Sequence, residues 1–140
     1  MIEVRVLTKK ELNNIITNAV DTETRNLNKI IDEPYEFFKN KAVRQEGIII
    51  NGRPIYFYAL TFNKPKNRFE LWTIVNSDVK EQFSLFKLAK RISQDWIKTY
   101  KEIYATMEKV NLKNIEWTKR LGFIPIQENE NTITFKLGGV

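Results

Sequence analysis

Cysteine and histidine are both absent from this 140-residue sequence. Their absence excludes thiol nucleophiles, disulfide bonds, imidazole general bases and the usual zinc ligand sets. Any catalysis would therefore have to use carboxylates, tyrosine, lysine, hydroxyl groups or backbone amides, and we expect no metal site.

Long apolar runs are missing as well. No stretch reaches the about 18 consecutive apolar residues of a membrane-spanning helix. Residues 1–10, MIEVRVLTKK, lack the apolar segment of a signal peptide. We therefore expect neither membrane insertion nor secretion, and we place the protein inside a cell or packaged inside a particle.

Positive charge exceeds negative charge, because 23 lysine and arginine residues stand against 17 aspartate and glutamate residues. Most of the excess lies in residues 61–140, which carry 14 basic and 9 acidic side chains. Such an excess favours an anionic partner, which could be a nucleotide-bearing cofactor, a nucleic acid or an acidic protein surface. A solvated lysine-rich surface explains the same numbers without a partner.

The length and the hydrophobic content of 42% suit one compact domain with one core, spanning residues 1–140. Residues 2–6 alternate apolar and polar side chains, as a half-buried strand does. Thr8 followed by Glu11 forms a capping-box pattern, and apolar residues at helical spacing then predict a helix over residues 9–20.

Asn51-Gly52 is the strongest turn signal in the chain. Both residues tolerate the positive φ of a type I′ turn, and β-branched and aromatic runs flank them, so a hairpin is predicted. In the segment before this hairpin, Pro34 divides residues 22–41 into two predicted helical pieces. The other predicted elements are strands over 47–50, 53–62 and 68–75, a long helix over 79–100, a strand over 102–109, a helix over 111–120 and strands over 122–126 and 132–137. This order predicts an α/β (α+β) domain.

Residues 111–123, NLKNIEWTKRLGF, resemble the last helix and following strand of the GNAT superfamily of N-acetyltransferases. Gly122 suits the left-handed residue that ends a helix. The order of elements matches the family over nearly the whole chain. Trp117 in this helix, and Trp72 in the strand before the long helix, are similar to tryptophans in the GNAT-like proteins of tailed bacteriophages. Packing in the core would explain both tryptophans as well.

The resemblance implies a GNAT-like mixed, mostly antiparallel central sheet of about six to seven strands with helices on both faces. Acetyl-CoA would lie in a splay between the central strand and the strand after the long helix. Its pantetheine would run along the backbone of Leu71, Trp72, Thr73, Ile74 and Val75.

The pyrophosphate of the cofactor would meet the start of the long helix, where free N–H groups favour anions. Lys80 and Gln82 are the candidate contacts there. Family members usually carry two spaced glycines at this point, whereas residues 76–85 contain none and include Asp78 and Glu81. The phosphate site thus departs from the family pattern, and cofactor binding could have been lost.

Four further side chains are candidates for the site. Asn111 matches a family asparagine that contacts the cofactor, although an asparagine there is also an ordinary helix cap. Thr118 stands where the family commonly carries a tyrosine that protonates the departing thiolate, and a threonine hydroxyl is a poor acid for that task. Glu70, or Glu46 before the hairpin, could accept a proton from an amine, unless both are merely exposed strand carboxylates.

Two functions follow as hypotheses. The first is acetyl transfer from acetyl-CoA to an amine on a small molecule or a protein, in the bacterial cytoplasm. The second is a catalytically inactive GNAT-like phage virion or host-interaction protein, with a phage or host protein as its partner. Nucleic-acid binding is weaker than both, because acidic residues such as Asp95 interrupt the basic residues of the long helix.

Overall fold

The computed structural model describes residues 1–19, 32–76 and 82–139, with the main chain alone for residues 82–84. Seven strands and four helices lie in these ranges. The strands are β1 (Ile2–Arg5), β2 (Ala42–Ile50), β3 (Arg53–Asn63), β4 (Arg68–Val75), β5 (Glu102–Glu108), β6 (Ile124–Glu128) and β7 (Thr132–Gly138). The helices are α1 (Lys9–Asn18), α2 (Pro34–Lys41), α3 (Gln82–Tyr100) and α4 (Leu112–Arg120).

The strands form one mixed sheet in the order β1-β2-β3-β4-β5-β7-β6. Strand β2 is antiparallel to both β1 and β3, and β7 is antiparallel to both β5 and β6. Strand β4 runs parallel to β5, with Glu70 opposite Tyr104. The predicted mixed, mostly antiparallel sheet of an α+β fold is confirmed.

The chain divides into two compact units. The first comprises Met1–Phe62 and Leu71–Val79, and the second comprises Asn63–Glu70 and Lys80–Val140. Strand β4 therefore contributes residues to both. The core of the first unit is built from Leu7, Leu12, Ile15, Phe38, Ile49, Phe57, Ala59 and Ile74. In the second unit the largest fully buried side chains are Trp96, Phe135 and Ile103.

Two local structures predicted from the sequence, a capping box and a hairpin turn, are present in the first unit. The Thr8 hydroxyl accepts a hydrogen bond from Glu11 N, and the Glu11 carboxylate accepts one from Thr8 N, which completes the capping box at α1. Asn51 and Gly52 have φ of 51° and 80°, as a type I′ hairpin turn requires.

Several element ends differ from the sequence-based predictions. Helix α1 ends at Asn18 rather than at residue 20, and β2 begins at Ala42 rather than at residue 47. The predicted helical piece before Pro34 and the predicted helix start at residue 79 lie outside the described residues. No helix in the described part of the chain is long and apolar enough to cross a membrane.

The end of α4 has the predicted geometry. Gly122 has a φ of 104°, in the left-handed region that glycine adopts without strain. Leu121 and Phe123 on either side are 6% and 3% exposed, so both anchor this turn in the core of the second unit.

Candidate functional site

Two of the five β4 residues predicted to line the cofactor point into the core of the first unit. Trp72 donates a hydrogen bond from Nε1 to Thr61 Oγ1 at 2.9 Å, and its ring packs edge-on against Phe38 with 5.7 Å between centroids. Ile74 is 2% exposed in the same core. These side chains anchor the strand in the core of the first unit, and the predicted pantetheine contact along residues 71–75 stays a prediction.

The remaining β4 residues of that segment are Leu71, Thr73 and Val75, which are half-buried. By strand alternation they lie on the opposite face from Trp72. Lys80 lies outside the described residues, and only the main chain of Gln82 is described. The predicted pyrophosphate contacts at Lys80 and Gln82 therefore stay predictions.

Glu70, the first candidate base, belongs to the second unit and has both carboxylate oxygens engaged. Oε1 accepts a hydrogen bond from Asn63 Nδ2 at 3.1 Å, and Oε2 accepts one from Arg68 Nε at 3.0 Å. The side chain is a quarter exposed. Glu70 is thus an oriented carboxylate that stays partly open to solvent.

Tyr104, directly opposite Glu70, was not predicted as a site residue. The Arg68 guanidinium carbon lies 4.6 Å from the centroid of its ring, and Lys136 Nζ lies 5.9 Å from the same centroid. Its hydroxyl donates to Glu102 Oε1 at 3.2 Å. The contact from Lys136 comes from β7, which the sheet order places beside β5, so no local sequence signal could have revealed it.

Lys136 is held by a second contact in this cluster. Its ammonium group lies 3.2 Å from Glu102 Oε2, and the hydrogen bond to this carboxylate raises the pKa of Lys136. The cluster of Arg68, Glu70, Glu102, Tyr104 and Lys136 holds two cationic and two anionic side chains. Its charges balance, so it does not form an anion site.

Glu46, the other carboxylate considered as a base, lies in the first unit. Its Oε1 accepts a hydrogen bond from Arg44 Nε at 2.8 Å, and its partner across the β2–β3 pair is Tyr58. Burial, reinforced by the negative charge of Glu46, raises the pKa of Tyr58 well above its ordinary value. The Tyr58 phenol therefore stays protonated at neutral pH.

Asn111 is the N-cap of α4. Its side-chain oxygen accepts a hydrogen bond from Asn114 N at 3.4 Å. The capping role proposed from the sequence is thus confirmed, and contact with a cofactor stays a prediction.

Thr118 is buried in α4, with 5% of its surface exposed. Its hydroxyl donates a hydrogen bond to Asn114 O at 2.7 Å, and the same oxygen lies 3.7 Å from Met107 Sδ. A hydroxyl that bonds back to the preceding turn serves its own helix. It would have to break that bond before it could protonate a thiolate.

Helices α3 and α4 meet through an aromatic pair that the sequence did not reveal. Phe86 and Trp117 pack edge to face with 5.4 Å between centroids, and the Arg120 guanidinium carbon lies 4.9 Å from the Phe86 centroid. Lys90 lies one helical turn after Phe86, and Lys113 lies one turn before Trp117. Both lysines are exposed. Half-buried rings beside several cations form a surface that suits an aromatic, anionic ligand.

The fold is similar to that of solved acetyltransferases, among them one of the GNAT family. An N-acetyltransferase from Staphylococcus aureus Mu50 matches with a TM-score of 0.66 at 15% identity, over 99% of this chain and 98% of that chain. A GNAT-family acetyltransferase from Bacillus anthracis matches with a TM-score of 0.69 at 12% identity, over 98% of this chain and 94% of that chain.

A third similar structure is the ribosomal α-N-protein acetyltransferase RimL in complex with coenzyme A. It matches with a TM-score of 0.68 at 7% identity, over 98% of this chain and 93% of that chain. At identities this low the similarity establishes the fold alone. No family model and no curated protein matches the sequence.

Proposed function

We propose that this chain is an N-acetyltransferase that moves an acetyl group from acetyl-CoA to an amine. The observation that carries the proposal is the fold. Its similarity to GNAT N-acetyltransferases extends over at least 98% of the chain. Because one fold can host several functions, the site residues must supply the rest of the argument.

The reaction needs a group that takes a proton from the amine. The amine nitrogen attacks the thioester carbonyl carbon, the new N–C bond forms, the C–S bond breaks and CoA leaves as its thiolate. Glu70 is the candidate proton acceptor, because Arg68 and Asn63 orient its carboxylate while a quarter of the side chain stays exposed. Thr118 and water are the alternative proton donors to the thiolate.

The contact between α3 and α4 supports binding of the nucleotide part of CoA. Its adenine is aromatic and its phosphates are anionic. Phe86 and Trp117 supply apolar ring surface, and Arg120, Lys90 and Lys113 supply positive charge. The main chain of β4 remains the proposed contact for the pantetheine.

Calorimetric titration of the protein with CoA and with acetyl-CoA tests the proposal first. We expect a dissociation constant in the micromolar range, roughly −8 kcal/mol. Release of free CoA thiol is then followed with a small polyamine and with a peptide that has a free α-amine. Amine-dependent release supports the proposal, and the absence of binding at about 1 mM acetyl-CoA contradicts it.

A GNAT-like scaffold that has lost the reaction is the second candidate. The internal hydrogen bond of the Thr118 hydroxyl and the lack of glycine in residues 76–85 favour it. Such a protein would act through a phage or host protein partner. Failure to bind CoA, or binding without any acetyl transfer, is the result that this candidate requires.

A further inference from the structure

Strand β1 forms one end of the sheet, and its outer edge is unpaired within the described residues. All four residues of the strand are exposed, and Val6 just beyond it is 57% exposed. The strand carries no proline, and its charged residues Glu3 and Arg5 disfavour pairing with an arbitrary strand and favour one of complementary charge. Among the residues that the structure describes, no strand occupies this edge.

The two faces of β1 differ in chemistry. Ile2 and Val4 lie opposite Ile50 and Ile48 of β2, so they share a face with two buried isoleucines. Glu3 and Arg5 point to the other face, where the Arg5 guanidinium binds both Glu3 and Glu11 within the same chain. An added strand would have to match an apolar stripe on one face and a pair of opposite charges on the other.

The outer edge also has a defined hydrogen-bonding pattern. Asn51 N donates to Met1 O at 2.9 Å, so the main chain of odd-numbered residues faces β2. The N–H and C=O groups of Ile2, Val4 and Val6 must then point outward. The Val6 carbonyl also accepts a bond of 3.3 Å from Arg5 Nη1, which leaves the Val4 groups as the central pair.

We propose that two copies of this chain associate through antiparallel pairing of their β1 strands, with Val4 of one copy opposite Val4 of the other. In this register Glu3 of each copy lies opposite Arg5 of the other copy, so the symmetric dimer contains two such charge pairs. It also places Ile2 opposite Val6 of the second copy. Each apolar residue then faces an apolar residue, and each charge faces its opposite.

Other registers conflict with the side chains. A shift of two residues sets Glu3 opposite Glu3, or Arg5 opposite Arg5, and like charges directly opposite are destabilising. A shift of one residue sets Val4 opposite a charged residue and turns the apolar stripe to the wrong face. The strand is therefore complementary to itself in one register only.

The contact is small, because only about five residues of each copy take part. A standard interface buries roughly 800 Å² on each partner, and this one is smaller. We therefore expect an equilibrium between monomer and dimer that depends on protein concentration.

Sedimentation equilibrium from about 5 µM to about 500 µM, a range that spans moderate affinities, measures this equilibrium. We expect the average mass to rise from 16.6 kDa towards twice that value. Val4→Lys sets two ammonium groups opposite each other and should weaken dimerisation about tenfold or more. Val43→Lys is the control, since Val43 is also exposed, on β2, but absent from the proposed contact.

A charge exchange tests the register itself. Glu3→Arg gives two arginines on β1 and Arg5→Glu gives two glutamates, so each variant alone should remain monomeric. Mixed together, they should form a heterodimer in which both charge pairs are restored. Thermal melts confirm that each variant is folded, which matters for Arg5→Glu because Arg5 also binds Glu11.

Three results would overturn the proposal. One is a monomeric wild-type chain at every concentration. The second is a dimer that survives Val4→Lys. The third is a mixture of folded Glu3→Arg and Arg5→Glu variants that associates no better than either variant alone.

Discussion

The Thr118 hydroxyl donates a 2.7 Å hydrogen bond to the carbonyl oxygen of Asn114, in the preceding turn of α4. The resemblance to GNAT enzymes places a proton donor at this position. In this chain the hydroxyl is buried and its proton is already committed to the helix. The kinetics of a Thr118 variant should therefore distinguish a proton donor to the thiolate from a hydroxyl that only stabilises its helix.

Thr118→Val keeps the side-chain shape and removes the hydroxyl. We expect acetyl transfer to change by less than about threefold, because a general acid would contribute 10²-fold or more. Stability should fall by about 1 kcal/mol through the lost hydrogen bond. The measurement is kcat/KM across pH, with Thr118→Ser as the control that keeps the hydroxyl. A loss of about 100-fold in the valine variant alone would establish Thr118 as the acid.

Glu70→Gln tests the proposed base. The amide keeps the size of the side chain but cannot take a proton, so acetyl transfer should fall by about 10²-fold or more. Binding of CoA should be unchanged. Glu46→Gln is the matched variant, since Glu46 is the other carboxylate considered for this role, and we expect it to retain wild-type turnover. A reversed result would assign the base to Glu46.

Arg120→Gln tests the contact between α3 and α4 as a nucleotide site. We expect CoA to bind about five- to tenfold more weakly, since such a cation contributes about 1 kcal/mol. The salt dependence of binding should also become shallower. Lys98→Gln, an exposed change elsewhere on α3, is the control. Equal affinity of the wild type and the Arg120 variant would remove the nucleotide from this surface.

Gly47 is expected to tolerate no side chain. A Cβ at this position would overlap the side chain of Leu7, which is 4% exposed and would have to shift within the core. Gly47→Ala should therefore lower the free energy of unfolding by about 1–3 kcal/mol in urea titrations. The same change in a Leu7→Ala background should cost clearly less, because the overlapping atoms are gone. Equal costs in both backgrounds would contradict the steric explanation.

Stability at acid pH should depend on Glu11. A hydrogen bond from the Arg5 side chain to its carboxylate lowers the pKa of Glu11 from 4.5 to about 2. A lowered pKa means that the pair stabilises the fold above about pH 4.5 and loses this effect as pH falls towards 2. Urea titrations of the wild type and Glu11→Gln should therefore differ near neutral pH and converge in this range. The glutamine still accepts the bond from Thr8 N, so the capping box is preserved.

Sequence motifs that act within a few residues correctly predicted the local structures that they form. Thr8 and Glu11 form the capping box, Asn51-Gly52 forms the turn, and Gly122 adopts a left-handed φ. In each case the side chain or the missing side chain settles the conformation of its own backbone. No distant partner is needed.

Boundaries that depend on a partner strand were less predictable. Residues 42–46 are largely polar and were left out of the predicted strand, yet they belong to β2. Glu46 is held there by its pairing with Tyr58 on β3 and by its ion pair with Arg44. A polar segment becomes a strand when its neighbour supplies the hydrogen bonds, and composition does not contain that information.

In the candidate site, too, some residues could be recognised from local sequence, whereas others depend on distant segments. Glu70 and Asn111 could be selected from the sequence, because carboxylates and helix caps carry recognisable chemistry. Tyr104 could not, since it meets Glu70 across a parallel strand pair and Lys136 reaches Tyr104 from β7. Phe86 and Arg120 likewise come together only when α3 packs against α4.

By itself, the sequence determined the order of the helices and strands, the turns between them and the absence of thiol and imidazole chemistry. These depend on residue identity and on contacts within a few positions. The tertiary structure alone decided that Tyr104 lies opposite Glu70, that Phe86 meets Arg120, and that β1 presents an unpaired edge in the described sheet. These depend on contacts between segments far apart in the chain, where the energy of packing selects the partner.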